Sequence, residues 1–324
     1  MSDSASSENP TDFRNFKYKF DFVTLIIGFS FIYFFLSSYC TLKMMIFYGK
    51  IKISNSPVDI HPYVFKSFLI MQLLNSVEIL LEFVTTRYST TTALTAFCAS
   101  LNPDNFTVLF FIMLFYFFYY TSQLYITLFC YTRVIILYSP KYSNKILKRL
   151  FLIWPVLSLA VSAPLSLPHL FSSVDCKQLG DPYQTGSIVI TTEFVSSSIA
   201  RNVGNLVFSA IVMVTIIVAT SLMMSKIRSR KLLRASTRTN YKTKAETTLT
   251  VTMFLILVPL ILTQLIAITS LVGSSLYSYI IVVRPLLADS RVNIVSCYFY
   301  LTHPIFKKKN ATPVISVNSI FVMP

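Results

Sequence analysis

Charge, glycine and histidine are all scarce in this chain. Charged residues fill 13% of its 324 positions, where a soluble domain carries about 25%. That leaves too little polar surface to wrap the apolar remainder in water, which excludes a disordered protein and argues strongly against a soluble enzyme. Six glycines are too few to build a Gly-rich phosphate cradle, and the three histidines, at 61, 169 and 303, form no His-Glu-x-x-His pair. The chain is therefore read as a non-enzyme without a cofactor. Five cysteines, at 40, 98, 130, 176 and 297, are too few and too scattered for a zinc site or a disulfide-stapled scaffold.

What is abundant is hydrocarbon: 54% of residues are hydrophobic and 15% aromatic, with a mean hydropathy of +0.63. A helix crosses the roughly 30 Å apolar layer of a bilayer with about 20 residues. Stretches of that kind lie at 22–47, 65–84, 106–131, 150–171, 203–224 and 249–271, with a seventh within 276–301. The seventh is interrupted by Arg284, Pro285, Asp289 and Arg291, so its helix is expected to start at about Pro285. The fold class is an all-α membrane protein, a seven-transmembrane helix bundle occupying 22–303, with an N-terminal tail over 1–21 and a C-terminal tail over 304–324. The first segment (MSDSASSENP) is polar and acidic, unlike a signal peptide, so the first hydrophobic stretch is expected to be retained as a helix.

The formal net charge of +15 would suggest nucleic acid in a soluble protein, but its distribution argues otherwise. Lys43, Lys50, Lys52 and Lys66 flank the first connection. Arg133, Lys141, Lys145, Lys148 and Arg149 flank the third, and eight basic residues from Lys226 to Lys244 crowd the fifth. The second connection holds only Arg87 and Asp104, while the fourth is acidic through Asp175, Asp181 and Glu193. Positive charge concentrates on the cytoplasmic side, which predicts the N terminus outside and the C terminus cytoplasmic. The lipid bilayer is thus a partner, and the basic face also suits anionic lipid or an acidic protein.

Several residues stand out against that background. Cys98, before the third span, and Cys176, after the fourth, both fall on the outer, oxidising side, where a bridge between them would pin the fourth connection over the bundle. Asn105-Phe106-Thr107 is a glycosylation triplet on the same side, whereas Asn310-Ala311-Thr312 is predicted cytoplasmic and silent. Glu78 and Glu82 share one face of the second helix and can contact a ligand, bind an ion or pair structurally, with Arg201 and Arg291 as potential counterions. Tyr116, Tyr119, Tyr120 and Tyr125 stripe the third helix, either as packing or as the wall of a small-molecule pocket. Arg133, at the inner end of that helix, is either a lipid-facing anchor or part of a switch on the inner face.

FCASLNPDNF at 97–106, CKQLGDPYQTGSI at 176–188, Arg284-Pro285 and LTHPIFKK at 301–308 give the chain its resemblance to known sequences. It resembles the nematode serpentine receptors of class U, with class gamma as close relatives. The resemblance implies a G-protein-coupled chemoreceptor in the cell membrane of sensory neurons, with sensory cilia as a candidate place of display. It also implies a small environmental molecule as ligand and a heterotrimeric G protein as partner. Cys98–Cys176 would then be the outer bridge, and Arg133, Arg228, Arg230 and Lys231 the candidates for coupling to the G protein. Thr132 and Val134 stand where such receptors often carry an acid and an aromatic, and Asn293 lacks a closely following proline, so the usual ionic lock and helix hinge do not carry over. Two rivals from other classes stay open: a seven-span ligand-gated channel of opposite orientation, and a transporter using Glu78 and Glu82.

Overall fold

A computed structural model describes residues 20–54, 61–140, 142–180, 183, 187–193, 198–233, 240–272 and 277–307. The chain is a bundle of long helices: α1 (Phe22–Ser54), α2 (Pro62–Glu82), α5 (Phe106–Tyr138), α6 (Ser143–Ser166), α7 (Ser198–Leu233), α8 (Asn240–Val272) and α9 (Tyr277–Thr302). Two short helices, α3 (Tyr88–Thr90) and α4 (Thr95–Ala99), lie between α2 and α5, and α10 (Pro304–Lys307) closes the described chain. Among the described residues, six helical stretches are long and apolar enough to cross a membrane: Phe22–Lys50, Pro62–Thr90, Phe106–Tyr138, Ser143–Phe171, Val203–Ser229 and Glu246–Ile266.

Local sequence sets several of the helix boundaries. Pro62 opens α2, where its missing N–H costs nothing. Asn105 caps α5 by accepting from the Val108 N–H at 3.2 Å. Pro155 and Pro164 lie within α6, where neighbouring hydroxyls and helices can meet the backbone groups they free.

α9 departs from expectation. It begins at Tyr277, two turns before Pro285, and Arg284, Pro285, Asp289 and Arg291 all sit within it. One proline removes a single backbone bond, and Asp289 and Arg291 find opposite charges inside the bundle, so the charges that argued for a late start do not stop the helix.

The helices close into a ring. α5 runs through it against α2, α6 and α7, while α8 packs on α7 and α9, and α1 joins α9 to α2. At the centre Phe68 of α2 stacks on Phe299 of α9 at 4.2 Å and lies 5.6 Å from Phe129 of α5. Around it the usual pattern inverts: Leu152, Val156 and Leu159 of α6 are 57–77% exposed, a face that suits lipid and not water. Inside, hydroxyls and amides tie helix to helix. Ser37 donates to Asn293 Oδ1 at 2.6 Å, Thr121 donates to Ser162 at 2.9 Å, and Ser67 meets Thr132 at 3.2 Å, each satisfying a polar group that hydrocarbon could not.

A hairpin caps one end of the bundle. Strands β1 (Ser173–Gln178) and β2 (Ile188–Glu193) pair antiparallel with Cys176 opposite Ile190. A disulfide joins Cys176 to Cys98 of α4, their Cα atoms 6.2 Å apart, and the Val174 N–H donates to the Pro103 carbonyl at 2.8 Å. Both contacts hold the hairpin to the segment that leads into α5.

Candidate functional site

Beneath the hairpin lies a cavity of about 410 Å³, bounded by α2, α5, β2, α7, α8 and α9. Its size falls within the range of small-molecule sites, roughly 300–1,000 Å³. Phe115, Tyr116 and Tyr119 of α5 line one side, Glu78 and Glu82 of α2 another, and Arg284 and Arg291 of α9 a third. The Tyr116 ring stacks on His169 at 3.9 Å, and His169 Nδ1 lies 3.2 Å from the Thr192 hydroxyl of β2. The aromatic wall is thereby coupled to the hairpin above it. Tyr120, grouped with Tyr116 on sequence, is not a lining residue: it is 1% exposed, and its hydroxyl donates to Asn205, which does line the cavity.

The charged wall is a network. After Glu82 the helix widens into one π-turn, Phe83–Arg87. On a regular α-helix a residue five positions on points about 140° away, whereas the wider π-turn brings it back over its partner. Arg87 Nη2 accordingly donates to Glu82 Oε2 at 2.5 Å. The same guanidinium grips Asp289 of α9 with two bonds of 2.5 and 2.7 Å, a bidentate fork that locks α2 to α9. By sequence position Arg87 belongs to the second connection, yet it is 4% exposed and lies inside the bundle. The five-residue spacing between Glu82 and Arg87 was the one available signal, and only a π-turn makes it meaningful.

One turn deeper, Ser122 of α5 donates to Glu78 Oε2, and Arg291 Nη2 stands 3.6 Å from the same oxygen. Of the two counterions considered on sequence, Arg291 reaches Glu78, while the Arg201 side chain lies outside the described residues. Two lining groups are less occupied. Gln123 is 3% exposed with its Oε1 unpartnered. Arg284 makes no ion pair or hydrogen bond among the described residues. Asn105 sits at the mouth-side start of α5, its side-chain oxygen engaged as the helix cap.

Residues 8–309 match the family described as serpentine type 7TM GPCR chemoreceptor Sru. The chain belongs to this family. A curated relative, serpentine receptor class U-26 of Caenorhabditis elegans, is 26% identical over 195 residues, which is 59% of this chain and 66% of the relative. The match thus falls just short of two thirds of that protein's length. Membership places the protein in a multi-pass membrane chemoreceptor family of a non-catalytic class; no cluster able to hold a metal ion occurs among its described residues.

At the opposite end of the receptor from the hairpin, Arg133 is 5% exposed and faces the bundle interior, so it does not anchor to lipid. Its Nη1 has no hydrogen-bond partner, and no carboxylate lies within 4.0 Å of it among the described residues. Thr132, in the place of the usual acid, bonds instead to Ser67 of α2. His303, fully buried, stacks on Phe299 at 4.9 Å. Arg228 is exposed near the end of α7, while the side chains of Arg230 and Lys231, and all of Asn310, lie outside the described residues.

Proposed function

We propose that the receptor has seven membrane spans, with α9 as the last, and that the hairpin end faces outward and the C terminus the cytoplasm. A small environmental molecule enters the cavity under the hairpin and favours a minor conformation in which the Arg133 end is open. That end, with Arg228, Arg230 and Lys231, then engages a heterotrimeric G protein and promotes nucleotide exchange. The observation that carries this reading is the 410 Å³ cavity, enclosed by helices and held under a disulfide-tethered hairpin.

The transporter alternative needs a carboxylate free to cycle between states. Glu82 is held by Arg87, and Glu78 by Ser122 and Arg291, which favours the receptor. Sensory cilia are the proposed place of display, and the division into an outer tail over 1–21, a bundle over 22–303 and an inner tail over 304–324 belongs to the same proposal.

The test is nucleotide exchange. Purified receptor in lipid discs, mixed with heterotrimeric G protein and challenged with a panel of small organics, should accelerate exchange for some of them. Arg133→Ala should abolish the acceleration, and the R228Q/R230Q/K231Q variant should reduce it. Currents evoked in bilayers lacking G protein, with no exchange, would replace this reading with that of a channel.

A further inference from the structure

We propose that the cavity is built for an organic acid: Arg284 receives the carboxylate near the hairpin, and the Gln123 amide oxygen accepts a hydrogen bond from the far end of the same molecule. The assignment rests on the cavity being the receptor's binding site.

The argument is one of which charges are occupied. Six ionisable side chains stand at or directly behind the wall: Glu78, Glu82, Asp289, Arg87, Arg284 and Arg291. Five are committed. Arg87 holds Glu82 and Asp289, and Arg291 stands 3.6 Å from Glu78. A cationic ligand at Glu78 would draw that carboxylate from Arg291 and leave a buried arginine without a partner, a costly exchange in a water-poor site; at Glu82 it would break a bond to Arg87, which keeps Asp289. An acid needs no such rearrangement, because the fork of Arg284 matches a carboxylate and is free.

Placement supports the same polarity. Arg284 lies seven residues from Arg291 on α9, about 10 Å along the helix axis at 1.5 Å per residue; it makes no bond to Glu78, although the two charges act on each other across the cavity. Glu82 is bonded to Arg87, which it shares with Asp289. Between these levels Phe115, Tyr116 and Tyr119 offer an aromatic wall for an apolar body. Gln123, next to Ser122 and therefore level with Glu78, ends the cavity with a buried, unpartnered acceptor. A buried amide oxygen without a donor is costly, and a hydroxyl or amide at the far end of the acid would satisfy it.

The experiment uses the full-length receptor in discs of neutral phosphatidylcholine, which keeps anionic headgroups away from the guanidinium. Three matched series are compared: aryl- and alkyl-alkanoic acids such as 3-phenylpropanoate, their methyl esters, and amines of equal length. Affinity is read from the concentration dependence of the melting temperature. Binding is expected in the acid series. For the best acid, R284Q should weaken affinity about 10- to 100-fold, the loss for a charge-assisted pair, with R284K intermediate and each variant referred to its own melting temperature without probe. Q123L should weaken only acids carrying a terminal donor. Esters or amines binding as tightly as acids, or R284Q leaving acid affinity unchanged, overturns the acid assignment and leaves the binding cavity standing. No binder in any of the three series overturns the cavity reading itself, and the acid assignment with it.

Discussion

Arg87 joins two helices that are far apart in sequence, 202 positions separating it from Asp289. In the interior of a membrane bundle its guanidinium bridges Asp289 and Glu82, so its removal would leave two carboxylates close together and without the cation they share. Removing one partner of a buried ion pair costs about 3–5 kcal/mol. Arg87→Met should therefore lower the melting temperature of disc-embedded receptor sharply and deplete it from the cell surface, and the R87M/D289N variant should recover much of the loss. A melting temperature unchanged in R87M would show that the network contributes nothing to stability. Glu78 and Glu82 were legible on sequence as two carboxylates on one helix face, and a structural pairing was among the readings. The identity of the partners was not legible, because Arg87 belongs by position to a connection and by geometry to the bundle.

The π-turn is what moves Arg87 from one to the other. It amounts to one extra residue inserted into a helix, so deleting Val84, which points outward at 49% exposure, should let the helix close as α with Glu82 and Arg87 four positions apart and still facing each other. Deleting Val77 instead removes a residue from the regular part of α2 and turns everything before it in that helix through about 100° relative to Glu78, Glu82 and Arg87. The expected outcome is surface expression and thermal stability near wild type for the Val84 deletion and loss of both for the Val77 deletion. Equal damage from the two would mean that the bulge is required as such. At this scale the long helices were readable from hydropathy, with α1, α2, α5, α6, α7 and α8 overlapping their predicted stretches. The early start of α9, the π-turn and the hairpin were not. Each depends on partners elsewhere in the chain: the paired charges that let α9 continue, the carboxylates that hold Arg87, and the disulfide that holds β1.

As a whole molecule the receptor is apolar on its outer faces and keeps paired polar groups within an apolar core, the arrangement that a bilayer stabilises. Orientation is its one global property with a simple readout. Tags placed separately at the two termini of intact cells should be reached by external antibody at the N terminus alone, and at the C terminus only after permeabilisation; the reverse would move the hairpin and cavity to the cytoplasmic side. Membrane class, the positions of the long helices and the alternation of charge between connections were determined by the sequence alone, because hydropathy and charge are local quantities that add along a segment. The rotation of each helix about its axis was decided only in the tertiary structure, and with it the pairing of Arg87 with Asp289, the exclusion of Tyr120 from the cavity wall and the freedom of Arg284. Lipid tails are as apolar as the bundle's own core, so a helix surrounded by both needs little hydrophobic sidedness, and its sequence leaves open which residues turn inward.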